Sequence, residues 1–143
     1  MLSAAPYEIR QQDATAHIVF SKTDAATGYV VFQPNVVLAA GPVMSASKPC
    51  VMLASQTAGK LLLSVADPDL NFLDVEKGSG AWGYSQPSTL TITLQGQWQT
   101  AERSAQISAT TSAPGKTLLR LECRDGVTTT VNLVPATVAL KGP

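Results

Sequence analysis

The residues that could carry chemistry are few, and they form no catalytic motif. His17 is the single histidine of the chain and lies between Ala16 and Ile18 in an alternating apolar segment. A general acid or base needs a partner that orients it and adjusts its pKa, and no motif supplies one near His17. No serine lies in a Gly-x-Ser-x-Gly sequence. We therefore expect no catalytic residue in this chain and predict that His17 is a strand residue.

Asp67 and Asp69 are weak candidates for a calcium site. They flank Pro68 and, with Asp74, form an acidic cluster. Calcium takes about six or more oxygen ligands, whereas aspartates around a proline commonly shape a turn through bonds to their own backbone. Both interpretations stay open. Two cysteines and one histidine cannot close a four-ligand zinc site, so we expect no cofactor.

Trp82 and Tyr84 are the tentative carbohydrate-binding residues. They lie in a glycine-rich segment, residues 71–87, that we predict to be a long surface loop. An exposed aromatic ring can stack on the C–H face of a sugar. The alternative is that both rings fold back onto the core. Trp98 follows Gly96 at the start of a predicted strand, and we expect it to pack in the core.

Period-2 alternation of apolar and polar residues dominates the elements that would position these side chains. Leu90, Ile92 and Leu94 alternate with threonines, as in a strand with one solvent-exposed and one buried face. Residues 28–33 and 50–54 are nearly continuous apolar runs, which suit central strands. Turn residues separate the runs, and no segment has a sustained 3.6-residue period. The pattern predicts an all-β, antiparallel two-sheet β-sandwich of about nine or ten strands.

The chain has 143 residues and zero formal net charge. This length predicts one domain, residues 1–143, with a core of about 7–135. Charge balance gives no reason to expect nucleic acid or an anionic membrane as a partner. No apolar run reaches the roughly 18 residues of a membrane span. The start lacks a signal-peptide pattern, and we expect the chain to be part of a longer protein. Cys50 and Cys123 are predicted either as buried thiols or as one inter-sheet disulfide.

An ordered set of segments resembles the C-terminal domain of chondroitin ABC lyase-like enzymes, in polysaccharide lyase family eight. The resemblance runs from about residue 7 to 135, nearly the whole chain. Its segments are YEIRQQD at 7–13, AHIV at 16–19, TGYVVFQP at 27–34, SKPCVM at 47–52, DPDLN at 67–71, LTITLQGQW at 90–98 and VNLVP at 131–135. The segment 76–85, which carries Trp82 and Tyr84, looks longer than its family counterpart.

The resemblance implies a C-terminal antiparallel β-sandwich that follows a helical toroid and a central β-domain. Those upstream domains carry the catalytic residues for β-elimination of acidic glycosaminoglycans, so none is transferred to this chain. The implied function is a non-catalytic accessory domain that packs on and stabilises the upstream catalytic domains of a secreted or periplasmic lyase. The alternative is a carbohydrate-binding module that contacts the acidic polysaccharide through Trp82 and Tyr84.

Overall fold

The computed structural model describes residues 6–57, 59–66, 88–102, 104, 106–123 and 128–136. Within these residues the regular structure is all strand. The strands are β1 (Tyr7–Gln12), β2 (Ala16–Ser21), β3 (Ala26–Val31), β4 (Val43–Ala46), β5 (Cys50–Thr57), β6 (Lys60–Ala66), β7 (Ser88–Gln95), β8 (Trp98–Thr100), β9 (Ile107–Ala113), β10 (Lys116–Cys123) and β11 (Thr128–Pro135).

The strands form two sheets in which every pairing between neighbours is antiparallel. The seven-stranded sheet has the order β1-β2-β3-β5-β6-β11-β8, and the four-stranded sheet has the order β4-β7-β10-β9. This confirms the predicted all-β, two-sheet sandwich. The described strands number eleven, against the nine or ten expected. The short β4 and β8 and the Ser/Thr-rich β9 carry too little apolar alternation to be counted reliably from sequence.

The core lies between the sheets and follows from the alternation. On β7, Leu90, Ile92 and Leu94 are buried and face the other sheet's Met52 and Leu63, which are buried as well. Because side chains on a strand alternate between faces, each of these strands gives every second residue to the core. Trp98 at the start of β8 is also buried, as predicted.

Two buried hydroxyl groups join the sheets. The Tyr29 hydroxyl, from β3 of the larger sheet, donates to the Ala40 carbonyl at 3.0 Å and accepts the Val43 N–H of β4 at 3.2 Å. The Thr117 hydroxyl, from β10 of the smaller sheet, donates to the Gly96 carbonyl and accepts the Trp98 N–H, both at 2.8 Å. Each hydroxyl thus supplies hydrogen-bond partners to two backbone groups. A buried polar group without such a partner would lower the stability of the fold.

No helix among the described residues is long and apolar enough to cross a membrane.

Candidate interaction surface

The residues predicted from sequence to form a site, Trp82, Tyr84, Asp67 and Asp69, all lie outside the described part of the chain. Their carbohydrate and calcium assignments therefore stay predictions. The described residues contain no group of three or more His, Cys, Asp or Glu side chains arranged to hold a metal ion. Cys50 is fully buried in β5, whereas the side chain of Cys123 is not among those described.

His17 lies in β2, as predicted, and its ring packs edge-on against Phe32. The two ring centroids are 5.0 Å apart and the planes meet at 89°. Edge-to-face packing stabilises an aromatic pair, but a hydrocarbon ring cannot accept a proton or fix an imidazole tautomer. The contact explains His17 as a packing residue of the sheet surface.

An open groove at one end of the sandwich includes Arg10, Phe20, Gln95 and Trp98 among its lining residues. The Arg10 guanidinium lies 4.4 Å from the Phe20 ring centroid, and its Nε is 2.6 Å from the Glu8 carboxylate. The Trp98 indole N–H donates to the Gln95 carbonyl at 2.8 Å. The guanidinium and the indole N–H each have a partner within the domain.

The outward-facing side of the seven-stranded sheet is the most unusual surface of the domain. Ladder register places Val19 beside Ile9 of β1 and places Val30 beside Val51 of β5. Large apolar side chains on this side keep between about a third and two thirds of their area exposed. We call them the outer apolar face: Ile9, Val19, Val30, Phe32, Val51, Leu53 and Leu62.

The central strands of this face carry no formal charge. β2, β3 and β5 contain no Asp, Glu, Lys or Arg in their twenty positions. On β5, exposed Val51 and Leu53 alternate with buried Cys50 and Met52. The strand is therefore apolar on both sides, whereas the other described residues cover only one of them. Strands apolar on both faces are characteristic of sheets that are covered on both faces.

The outward side of the four-stranded sheet has the opposite character. Register places Thr91 of β7 beside Arg120 of β10 and Thr89 beside Glu122. Ser108 of β9 lies on the other side of Arg120. These side chains suit contact with water. The outer surface of the smaller sheet is therefore polar at these positions, whereas that of the larger sheet is largely apolar across β2, β3 and β5. This difference identifies the outer apolar face as the candidate contact surface.

The continuous apolar runs at 28–33 and 50–54, predicted to be central strands, overlap β3 and β5 in the interior of the larger sheet. The outward-facing apolar side of these two strands was not predicted. The signal was available: in an antiparallel sandwich, a strand that packs on one side only should alternate, as β7 does.

The chain is similar to known proteins in sequence and in fold. Residues 8–71 match the family model of the polysaccharide lyase family 8 C-terminal beta-sandwich domain. The chain is 32% identical over 146 residues to the chondroitin sulfate ABC exolyase of Bacteroides thetaiotaomicron. This alignment covers 89% of this chain and 14% of the exolyase. It is 25% identical to the chondroitin sulfate ABC endolyase of Proteus vulgaris, over 71% of this chain and 9% of the endolyase.

Solved structures share the fold at lower identity. The chondroitin AC lyase of Streptomyces coelicolor A3, in complex with chondroitin sulphate, matches 94% of this chain and 16% of its own, with a TM-score of 0.64 and 13% identity. A Paenibacillus xanthan lyase matches 93% of this chain and 11% of its own, with a TM-score of 0.68 and 15% identity. At these identities the likeness shows the fold alone.

The chain thus spans only a small part of each relative, and the matched family model is one of a C-terminal domain. The family predicted from the sequence is confirmed: this chain belongs to the C-terminal β-sandwich domains of polysaccharide lyase family 8.

Proposed function

We propose that this chain is a non-catalytic accessory domain of a glycosaminoglycan lyase, and that it packs on and stabilises the catalytic domains upstream of it. The single observation that carries the proposal is the outer apolar face. Strands β2, β3 and β5 present a surface without formal charge, whereas the outer surface of the second sheet is polar. This combination fits a domain that is covered on one side by another part of its protein.

The free energy available from this face is sufficient for the role. Complete burial of a Val, Leu, Ile or Phe side chain contributes roughly 1.5–3 kcal/mol, so covering a half-exposed one contributes roughly 1 kcal/mol. Val51 and Leu53 are 45% and 50% exposed, and five further side chains of the face are in a similar state. Covering all of them would contribute several kcal/mol, which is a large fraction of a typical domain stability of about 5–15 kcal/mol.

The relatives support the context of the proposal. Two of them are named as chondroitin sulfate ABC lyases, and this chain corresponds to 14% and 9% of their lengths. We propose the same arrangement here: the remaining part of the lyase performs β-elimination on an acidic polysaccharide, and the whole protein acts outside the cell or in the periplasm. The side-chain arrangement around His17, with Phe32 as its ring partner, supports a non-catalytic role.

Deletion of this domain from the lyase that carries it tests the proposal. The truncated enzyme should unfold at a temperature several degrees lower than the full-length enzyme. Its elimination activity, measured by the absorbance of the unsaturated uronate product at low temperature, should persist. The 143-residue chain alone should give no such product. Unchanged stability after deletion, or product formation by the chain alone, would refute the proposal.

A further inference from the structure

The outer apolar face has a gap at its centre, at Gly28 of β3. The neighbours Thr27 and Tyr29 are buried on the inner side, so a side chain at Gly28 would point outward. The register places Val19 on one side of Gly28 and Leu53 on the other. A row of aliphatic side chains, continued at the sheet edge by Ile9, is thus interrupted at a single position. We call this gap the Gly28 notch.

No described residue requires glycine at this position. A Cβ added to Gly28 would have one neighbour within 4 Å, the Val19 carbonyl oxygen, at the ordinary contact distance of 3.8 Å. Gly28 is not among the residues with positive φ, so the backbone does not need it either. Glycine in a strand interior weakens the strand and often marks a site that another group approaches closely.

We propose that the Gly28 notch receives an apolar side chain from the part of the same polypeptide that lies upstream of this domain. The inference rests on the proposed function and specifies its contact point. The walls of the notch are the aliphatic side chains of Val19, Val30 and Leu53, which are between a third and a half exposed. A pocket walled in this way, at the centre of a contact surface, is where interface energy concentrates.

The occupant follows from chemistry and from length. The strands around the notch have no charged side chain to bind a sulfate or carboxylate, which disfavours an acidic polysaccharide. The matched relatives are several times longer than this chain, and a tethered domain meets its partner at an effective concentration of about millimolar. A face of this modest extent therefore suits a partner in the same chain better than a second copy.

Gly28→Val tests the inference because it fills the notch and spares the fold. In the 143-residue chain, the melting temperature should be equal or higher, since valine favours strands. In the full-length lyase, the variant should accelerate amide hydrogen exchange in β2 and β3 at least several-fold and lower the melting temperature. Thr128→Ile is the matched control: Thr128 is exposed on the outward side of β11, and its replacement should change neither quantity.

The outcomes separate the inference from the proposed function. If deletion of the domain destabilises the lyase but Gly28→Val does not, the notch is overturned and the accessory role stands. If neither change has an effect, both fail. If the 143-residue chain forms a dimer in sedimentation experiments and Gly28→Val abolishes it, the occupant is a second copy and the inference is wrong. Protection of β2 and β3 by chondroitin oligosaccharides in the full-length lyase, lost in Gly28→Val, would also overturn it.

Discussion

Replacement of Tyr29 by phenylalanine should measure how strongly the two sheets are joined. The change removes one hydroxyl and keeps the ring in the core. It abolishes the bond to the Ala40 carbonyl and leaves the Val43 N–H without its acceptor. Removing one partner of a buried hydrogen bond costs about 1–3 kcal/mol. For a domain of this size, about 2 kcal/mol corresponds to a decrease of roughly 4–8 °C in melting temperature.

The assay is urea unfolding of the 143-residue chain followed by tryptophan fluorescence, with calorimetry for the melting temperature. Tyr7→Phe is the control, because Tyr7 is 62% exposed on edge strand β1; it should change stability by less than about 0.5 kcal/mol. A Tyr29→Phe variant as stable as the wild type would show that the inter-sheet bonds contribute nothing and would refute this account of how the sheets are joined.

Three further predictions concern the Thr117 hydroxyl, the Asp13 carboxylate and the candidate carbohydrate-binding residues Trp82 and Tyr84. Thr117→Val removes the acceptor of the Trp98 N–H and should cost about 1–3 kcal/mol in urea unfolding; Thr110→Val, on the outer side of β9, should cost much less. Bonds from Thr15 and Ala16 lower the pKa of Asp13 to about 2, so this carboxylate contributes stability that is present above pH 3.8 and lost as the pH falls towards 2. Asp13→Asn should flatten that part of the pH profile of the melting temperature, and an unchanged profile would contradict the assignment. Titration of the chain with chondroitin oligosaccharides tests Trp82 and Tyr84 as a carbohydrate site: an accessory domain predicts no change in tryptophan fluorescence at millimolar sugar, and a saturable change lost in Trp82→Ala would favour the binding module.

The pH dependence at the alkaline end provides a test of Tyr29 itself. Burial raises the pKa of Tyr29 from its usual value of 10.0 to about 12, while the hydrogen bond from the Val43 N–H acts in the opposite direction. Because the folded state disfavours the phenolate, the stability from this group is fully present below pH 10 and is lost as the pH rises towards 12. Tyr29→Phe should lack that loss, which spectrophotometric titration together with melting curves would detect.

Local alternation predicts the sandwich well because core burial imposes period 2 on every strand that packs on one side only. Leu90, Ile92 and Leu94 illustrate this, since each is buried and the residues between them face outward. The short β4 and β8 are held mainly by tertiary pairing, and their sequences alone carry little signal.

The interaction surface was harder to predict, because it depends on which strands become neighbours. Ile9 and Leu53 are 44 positions apart in sequence, yet the ladders from β1 through β5 put them in one row. Pairing of β3 with β5 rather than with the intervening β4 is a property of the whole fold. The continuous apolar run of β5 was the available signal, but a run alone does not say which of its two sides the domain leaves open.

Covalent footprinting of the outer apolar face tests the central claim most directly. A carbene reagent that labels exposed aliphatic side chains would be applied to the 143-residue chain and to the full-length lyase, with labelled positions read by mass spectrometry. Val51 and Leu53 should be labelled in the chain alone and protected severalfold in the lyase, while Arg120 and Glu122, on the outer side of the smaller sheet, should be labelled equally in both. Equal labelling of Val51 and Leu53 in the two proteins would contradict the claim that this face packs on the rest of the enzyme.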